Sequence, residues 1–183
     1  MHPLKTAIIG TGFMSWVHLD ALRRIGVQVT GMLGSSELKS RTAANQHGLN
    51  RIYLSIEEVL EDSEVGCVHV CTPNQSHFEL VSKALEAGKH MLCEKPLAMN
   101  SHESAELVRM AQQHNQQATA VNYNIRFYPL CSEVRCRVQN GSLGNVLHVN
   151  GSYIQDWLLK PTDYNWRVLA DQRLGGIIPQ QPT

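Results

Sequence analysis

The chain has 183 residues, 16 Lys and Arg against 16 Asp and Glu, no formal net charge, and 43% apolar against 17% charged residues. This is the composition of a globular chain of one domain plus a remainder, and it argues against disorder and against a charged footprint for nucleic acid or an anionic membrane. No apolar run approaches the roughly 18 residues of a membrane span, no signal-peptide stretch follows Met1, and the five cysteines form no Cys-x-x-Cys pair, so they read as small buried thiols in a reducing cytoplasm.

Residues 5–9 form a short apolar run ending in glycine, which suits a buried parallel strand. A helix is predicted over 13–24, with apolar side chains at Phe13, Trp16, Val17, Ala21 and Leu22. A second strand spans 27–33, and a helix over 37–47 is stopped by Gly48. Ser55 and Glu58 read as the capping box of another helix. Apolar runs at 65–71, 90–93 and 118–121 predict further strands, alternating with helices over 78–87 and 101–114. Such alternation implies right-handed crossovers and a parallel, doubly wound α/β sheet. The pattern changes near residue 122. A helix is predicted over 126–139, a turn cluster over 140–144, and the longest strand candidate over 146–154. The division is therefore a first domain over 1–123 and the incomplete start of a second, α+β unit over 124–183.

Gly10-Thr11-Gly12-Phe13-Met14-Ser15 lies between the first strand and the first helix. Gly10 permits the tight turn, Gly12 lets a pyrophosphate approach the backbone, and the helix N-terminus supplies N–H groups and a favourable dipole. Ser15 stands where this dinucleotide fingerprint prefers Gly or Ala, a departure small enough to keep close helix packing. An acidic residue at the end of the second strand would bind a ribose 2′-hydroxyl, yet none occurs before Glu37. Ser35 and Ser36, followed by Lys39 and Arg41, can instead receive a 2′-phosphate, which favours NADP(H) over NAD(H). The alternative is that both cations are solvated on an exposed helix face.

Two further segments follow strands at the sheet's carboxyl edge, where open α/β sheets bind ligands: Cys71-Thr72-Pro73-Asn74-Gln75-Ser76-His77 and Cys93-Glu94-Lys95-Pro96. With the glycine turn and His18, they make the chain resemble the glucose–fructose oxidoreductase (Gfo/Idh/MocA) family from about Leu4 to Gly176. The resemblance implies a Rossmann-type domain and hydride transfer between a nicotinamide and a sugar, cyclitol or related polyol or its keto form. It implies that Lys95 is the catalytic lysine beside nicotinamide and substrate oxygen, where an ammonium polarises a carbonyl or stabilises an alkoxide, and where partial burial is expected. Cys71, Thr72, Pro73, Asn74 and His77 match the segment along the cofactor's ribose and nicotinamide, with His77 either in contact or engaged in local hydrogen bonds. Glu94 either meets the nicotinamide ribose or steadies Lys95. Asn122, Tyr123 and Arg126 match residues facing cofactor or substrate. Trp166 and Arg167 resemble a pair that approaches the cofactor, core packing being the other reading for Trp166.

The remaining histidines have no metal-ligand spacing, and no Gly-x-Ser-x-Gly elbow is present. The implied partner is a small sugar or polyol, with a homo-oligomer expected to be weakened by the missing second sheet. In the family the Trp-Arg segment leads through a Gly-Gly turn to an Asp-x-Gly-x-His stretch. After Gly175-Gly176 no counterpart follows. The expectation is a carboxyl-truncated member with impaired turnover, the alternatives being a non-catalytic dinucleotide-binding module or a nonfunctional fragment.

Overall fold

The computed structural model describes residues 4–156 and 158–164. Six parallel strands, β1 (Lys5–Ile9), β2 (Gln28–Leu33), β3 (Ile52–Tyr53), β4 (Cys67–Val70), β5 (His90–Glu94) and β6 (Thr119–Asn122), form one sheet in the order β3-β2-β1-β4-β5-β6. The helices between them are α1 (Phe13–Arg24), α2 (Glu37–His47), α3 (Ile56–Glu61), α4 (His77–Glu86) and α5 (Ser101–Gln113). This is a Rossmann-like sheet whose strand order reverses beside β1, and ligands bind at that switch point.

Strand periodicity sorts the core onto two faces. Ala7 and Ile9 of β1, Val68 and Val70 of β4, and Met91 and Cys93 of β5 pack with Val81, Leu85 and Leu107 of α4 and α5. Ile8 points the other way, against Leu19 and Leu22 of α1 and Ala43 of α2. The same alternation directs His69 of β4 and Glu94 of β5 toward the α1 side.

The two-residue β3 escaped the sequence reading because it is too short to show a period. It approaches β2 so closely that a Cβ on Gly31 would lie 2.7 Å from the Arg51 carbonyl oxygen. Tyr53 anchors it: the buried hydroxyl lies 3.0 Å from Thr30 Oγ1 and 2.7 Å from Asp62 Oδ2. In the capping box, Ser55 Oγ accepts from the Glu58 N–H, but the Glu58 carboxylate accepts from Leu54, one residue earlier than expected.

On α1, Phe13 and Trp16 lie exposed with ring centroids 6.1 Å apart, and Leu19 and Leu22 form the buried stripe. Two expectations are corrected. The helix predicted over 126–139 is split into a 3₁₀ turn, Asn124–Phe127, and α6, Pro129–Gln139. Pro129 forces Tyr128 into an extended conformation (ψ 137°) and then starts the new helix. The strand expected over 146–154 does not form, since no described strand offers it a ladder; Leu147 is 93% exposed. Cys67, Cys71 and Cys93 are buried thiols, as read, whereas Cys131 and Cys136 are exposed. Among the described residues no helix is long and apolar enough to cross a membrane.

Replacing Tyr53 by Phe removes both hydroxyl contacts while keeping the packing. It should lower unfolding free energy by about 1–3 kcal/mol, read from a shifted urea midpoint at unchanged slope.

Candidate functional site

The site begins at the turn between β1 and α1. Gly10 has φ +117°, and a Cβ there would stand 2.5 Å from the Cys71 carbonyl oxygen, so the position requires glycine. Its N–H donates to the Leu33 carbonyl at 2.7 Å. The end of β1 is thus fastened to the ends of β2 and β4 at once. Gly12 caps α1 without a side-chain bond, and nothing lies within 4 Å of where its Cβ would be. By contrast, α2, α3 and α5 begin on side-chain caps from Ser36, Ser55 and Asn100. The open N-terminus of α1 fits a pyrophosphate: its first N–H groups have no capping acceptor, and backbone faces free space. Phe13 is exposed and Met14 half-buried at this mouth, and Ser15 is buried beneath it.

The end of β2 lies directly against the turn, since a Cβ on Gly34 would meet Thr11 Cγ2 at 3.0 Å. The Gly34 N–H donates to Ser40 Oγ at 2.8 Å. Ser36 accepts from the Lys39 N–H, and Lys39 Nζ donates to Ser35 Oγ at 3.0 Å. These three residues therefore stand together at the strand end. Arg41 is turned along α2 to Glu37, with Nε 2.8 Å from the carboxylate, the geometry of a solvated helix-face pair.

Beyond β4, Cys71 contributes its backbone: the N–H donates to Ile9 at 2.8 Å and the carbonyl walls Gly10. Burial first, then Glu94 and Cys93 nearby, push its thiol well above the ordinary range, so it is no nucleophile at neutral pH. Ser76 Oγ donates to Thr72 Oγ1 at 2.7 Å. Pro73 is exposed and Asn74 half-buried at the rim. His77 is fully buried, with Nδ1 2.6 Å from the Pro96 carbonyl oxygen and Nε2 3.0 Å from that of Thr72. Of its two possible uses, local hydrogen bonding is the one its ring makes, and it joins the Thr72 turn to the Lys95–Pro96 turn.

At the end of β5, Glu94 is buried at the centre of the cluster. Its Oε1 lies 3.0 Å from His18 Nε2 and 2.6 Å from Asn122 Nδ2, and its Oε2 accepts from the Lys95 N–H at 3.2 Å. Burial alone would raise the Glu94 pKa, but the bonds from His18, Asn122 and the Lys95 N–H outweigh it and hold the carboxyl below its ordinary value. His18 is itself buried, and its Nδ1 lies 3.0 Å from Nδ1 of His69. Burial, then the neighbouring His18, bring the His69 ring down to about 4. Lys95 is exposed, contrary to the expected partial burial, and so are Tyr123 and Arg126 beyond β6. Trp166 and Arg167 lie outside the described residues. His69 is a site residue that sequence spacing does not single out; the available signal is a histidine inside an otherwise apolar strand.

A family model described as an oxidoreductase family with an NAD-binding Rossmann fold matches residues 4–123. Levoglucosan dehydrogenase of Pseudarthrobacter phenanthrenivorans is 28% identical over 91% of the chain and 45% of its own length. A 1,5-anhydro-D-fructose reductase of Ensifer adhaerens is 30% identical over 89% of the chain and 48% of its own. A solved levoglucosan dehydrogenase, in complex with NADH and levoglucosan, superposes with a TM-score of 0.86 at 27% identity, covering 96% of this chain and 50% of that one. The chain thus spans about half the length of the curated relatives it matches.

Two outcomes follow from the buried groups. In His77→Phe the ring N–H between the Thr72 and Pro96 carbonyls is lost, so unfolding free energy should fall by about 1–3 kcal/mol in urea. His69, depressed to about 4 when folded, binds its proton more readily when unfolded. Stability should therefore fall as pH drops from about 6.5 toward 4, by up to about 3 kcal/mol, with a visibly shallower slope in His69→Phe.

Proposed function

The chain belongs to the Gfo/Idh/MocA family of oxidoreductases with an NAD-binding Rossmann fold, and from that membership we propose that it passes hydride between a nicotinamide cofactor and a sugar, cyclitol or related polyol or its keto form. One observation carries the reading: the glycine turn and Lys95 stand at the same sheet edge, with buried Glu94 bonded both to the turn's helix through His18 and to the Lys95 backbone.

The nicotinamide, when bound, supplies the hydride chemistry; the protein's own residues hold and orient. Gly10 and Gly12 shape the cradle, and the N-terminus of α1 receives the pyrophosphate. Ser35, Ser36 and Lys39 receive a 2′-phosphate, so the cofactor is NADP(H) in preference to NAD(H), and Arg41 adds charge behind them. Thr72, Pro73 and Asn74 line the ribose side. The Lys95 ammonium donates to the substrate oxygen, stabilising the alkoxide in oxidation and polarising the carbonyl in reduction. Its side chain is exposed, while Glu94 fixes the backbone from which it reaches. Asn122 carries the end of β6 to the same point, where Tyr123 and Arg126 offer hydrogen bonds to sugar hydroxyls. The substrate class rests on relatives named for levoglucosan and 1,5-anhydro-D-fructose.

Titration of tryptophan fluorescence should show NADPH binding about tenfold tighter than NADH, with Lys39→Glu erasing the difference. Lys95→Met should leave dinucleotide affinity within about threefold while lowering kcat/KM at least 100-fold or so on a polyol panel. Binding without transfer by the unaltered chain would mark a dinucleotide-binding module, and no binding would overturn the reading.

A further inference from the structure

We propose that His69 is a positioning residue for Lys95, acting through His18 and Glu94. The proposal rests on the reading of Lys95 as the group that meets the substrate oxygen, but each link beneath it stands on distances.

His69 occupies a strand whose four residues are all buried, and the valines on either side of it are core. An apolar side chain would fill that position without the cost of desolvating an imidazole. What the histidine provides is one hydrogen bond, Nδ1 to Nδ1 of His18 at 3.0 Å, with the rings edge-on at 88°.

That bond sets the hydrogens on His18. The Glu94 carboxylate is ionised and only accepts, so His18 Nε2 must carry hydrogen to bond it at 3.0 Å. Asn122 Nδ2 stands 3.1 Å from the same nitrogen and donates to the same carboxylate oxygen, so it is no acceptor for His18. One hydrogen then lies between the two Nδ1 atoms. In this proposal that hydrogen sits on Nδ1 of His69, which makes Nδ1 of His18 the acceptor and leaves the His18 hydrogen on Nε2. Without His69, nothing holds Nδ1 of His18 as an acceptor, and its hydrogen can move to Nδ1 and leave a lone pair toward Glu94. A buried carboxylate facing a lone pair rotates away, and its other oxygen carries the bond to the Lys95 N–H.

The path starts at β4 and passes α1, six residues beyond Gly12, before reaching the β5 end. It therefore ties the helix that cradles the dinucleotide to the turn that carries the lysine, and the tie is reciprocal. The effect on Lys95 is mechanical, through its main chain, and requires no charge to move.

The experiment combines nuclear magnetic resonance of the histidine ring nitrogens with hydrogen exchange of the Lys95 amide. In the unaltered chain at neutral pH, His18 should show a protonated Nε2 and His69 a protonated Nδ1. In His69→Phe, which keeps the ring shape without the donor, Lys95 amide exchange should quicken about tenfold. In His69→Asn, whose amide reaches the same point, it should return to within about threefold of the original. An unprotonated His18 Nε2 in the unaltered chain overturns the proposal, and that measurement needs no variant to fold. Lys95 exchange unchanged in folded His69→Phe overturns it as well, as does a His69→Asn chain no different from His69→Phe. Failure of the Lys95 reading is seen separately, as undiminished turnover in Lys95→Met with these signals intact.

Discussion

A carboxylate taken out of water survives only if donors surround it, and Glu94 meets that condition with three. One comes from α1, one from β6 and one from the residue that follows it. Each of those donors belongs to a different part of the site: the helix of the glycine turn, the strand leading to Tyr123 and Arg126, and the lysine turn. Satisfying one buried charge therefore fixes the relative positions of three segments far apart in sequence. The network has high stakes for the same reason, since loss of one donor leaves the others holding an under-satisfied charge.

The sheet makes that gathering possible. In a parallel, doubly wound sheet every strand delivers its carboxyl end to one edge, and alternation decides which side chains face which helix layer. Glu94 pairs in register with Asn122, and His69 with Leu92, so the polar residues of β4, β5 and β6 fall on neighbouring rows of the α1 face. On the opposite face the same strands offer Val68, Val70, Met91 and Cys93 to α4 and α5. Core and site are thus two readings of a single period-two pattern.

Much of this was legible in the sequence because it is local. The apolar runs, the glycines that stop α2 and α4, and the glycine turn all announce themselves within a few residues. Glu94 and Lys95 were legible through the strand that ends at Glu94. The contact between His18 and His69 was not, because it depends on which strands are neighbours and on how α1 lies across them. The break at Tyr128 could have been read from Pro129, whose ring restricts the residue before it. Residues 146–154 show the limit from the other side: a strand-like pattern states a preference, but the ladder belongs to two segments, and no described segment pairs with this one.

The obstruction at Gly10 has a genetic counterpart. What a side chain at that position would strike is the carbonyl of Cys71, an atom every amino acid contributes. Trimming or reshaping residue 71 cannot make room, so a lesion at Gly10 has no suppressor there. In a lineage accumulating changes, any new side chain at 71 leaves that carbonyl in place, and with it the requirement for glycine at 10.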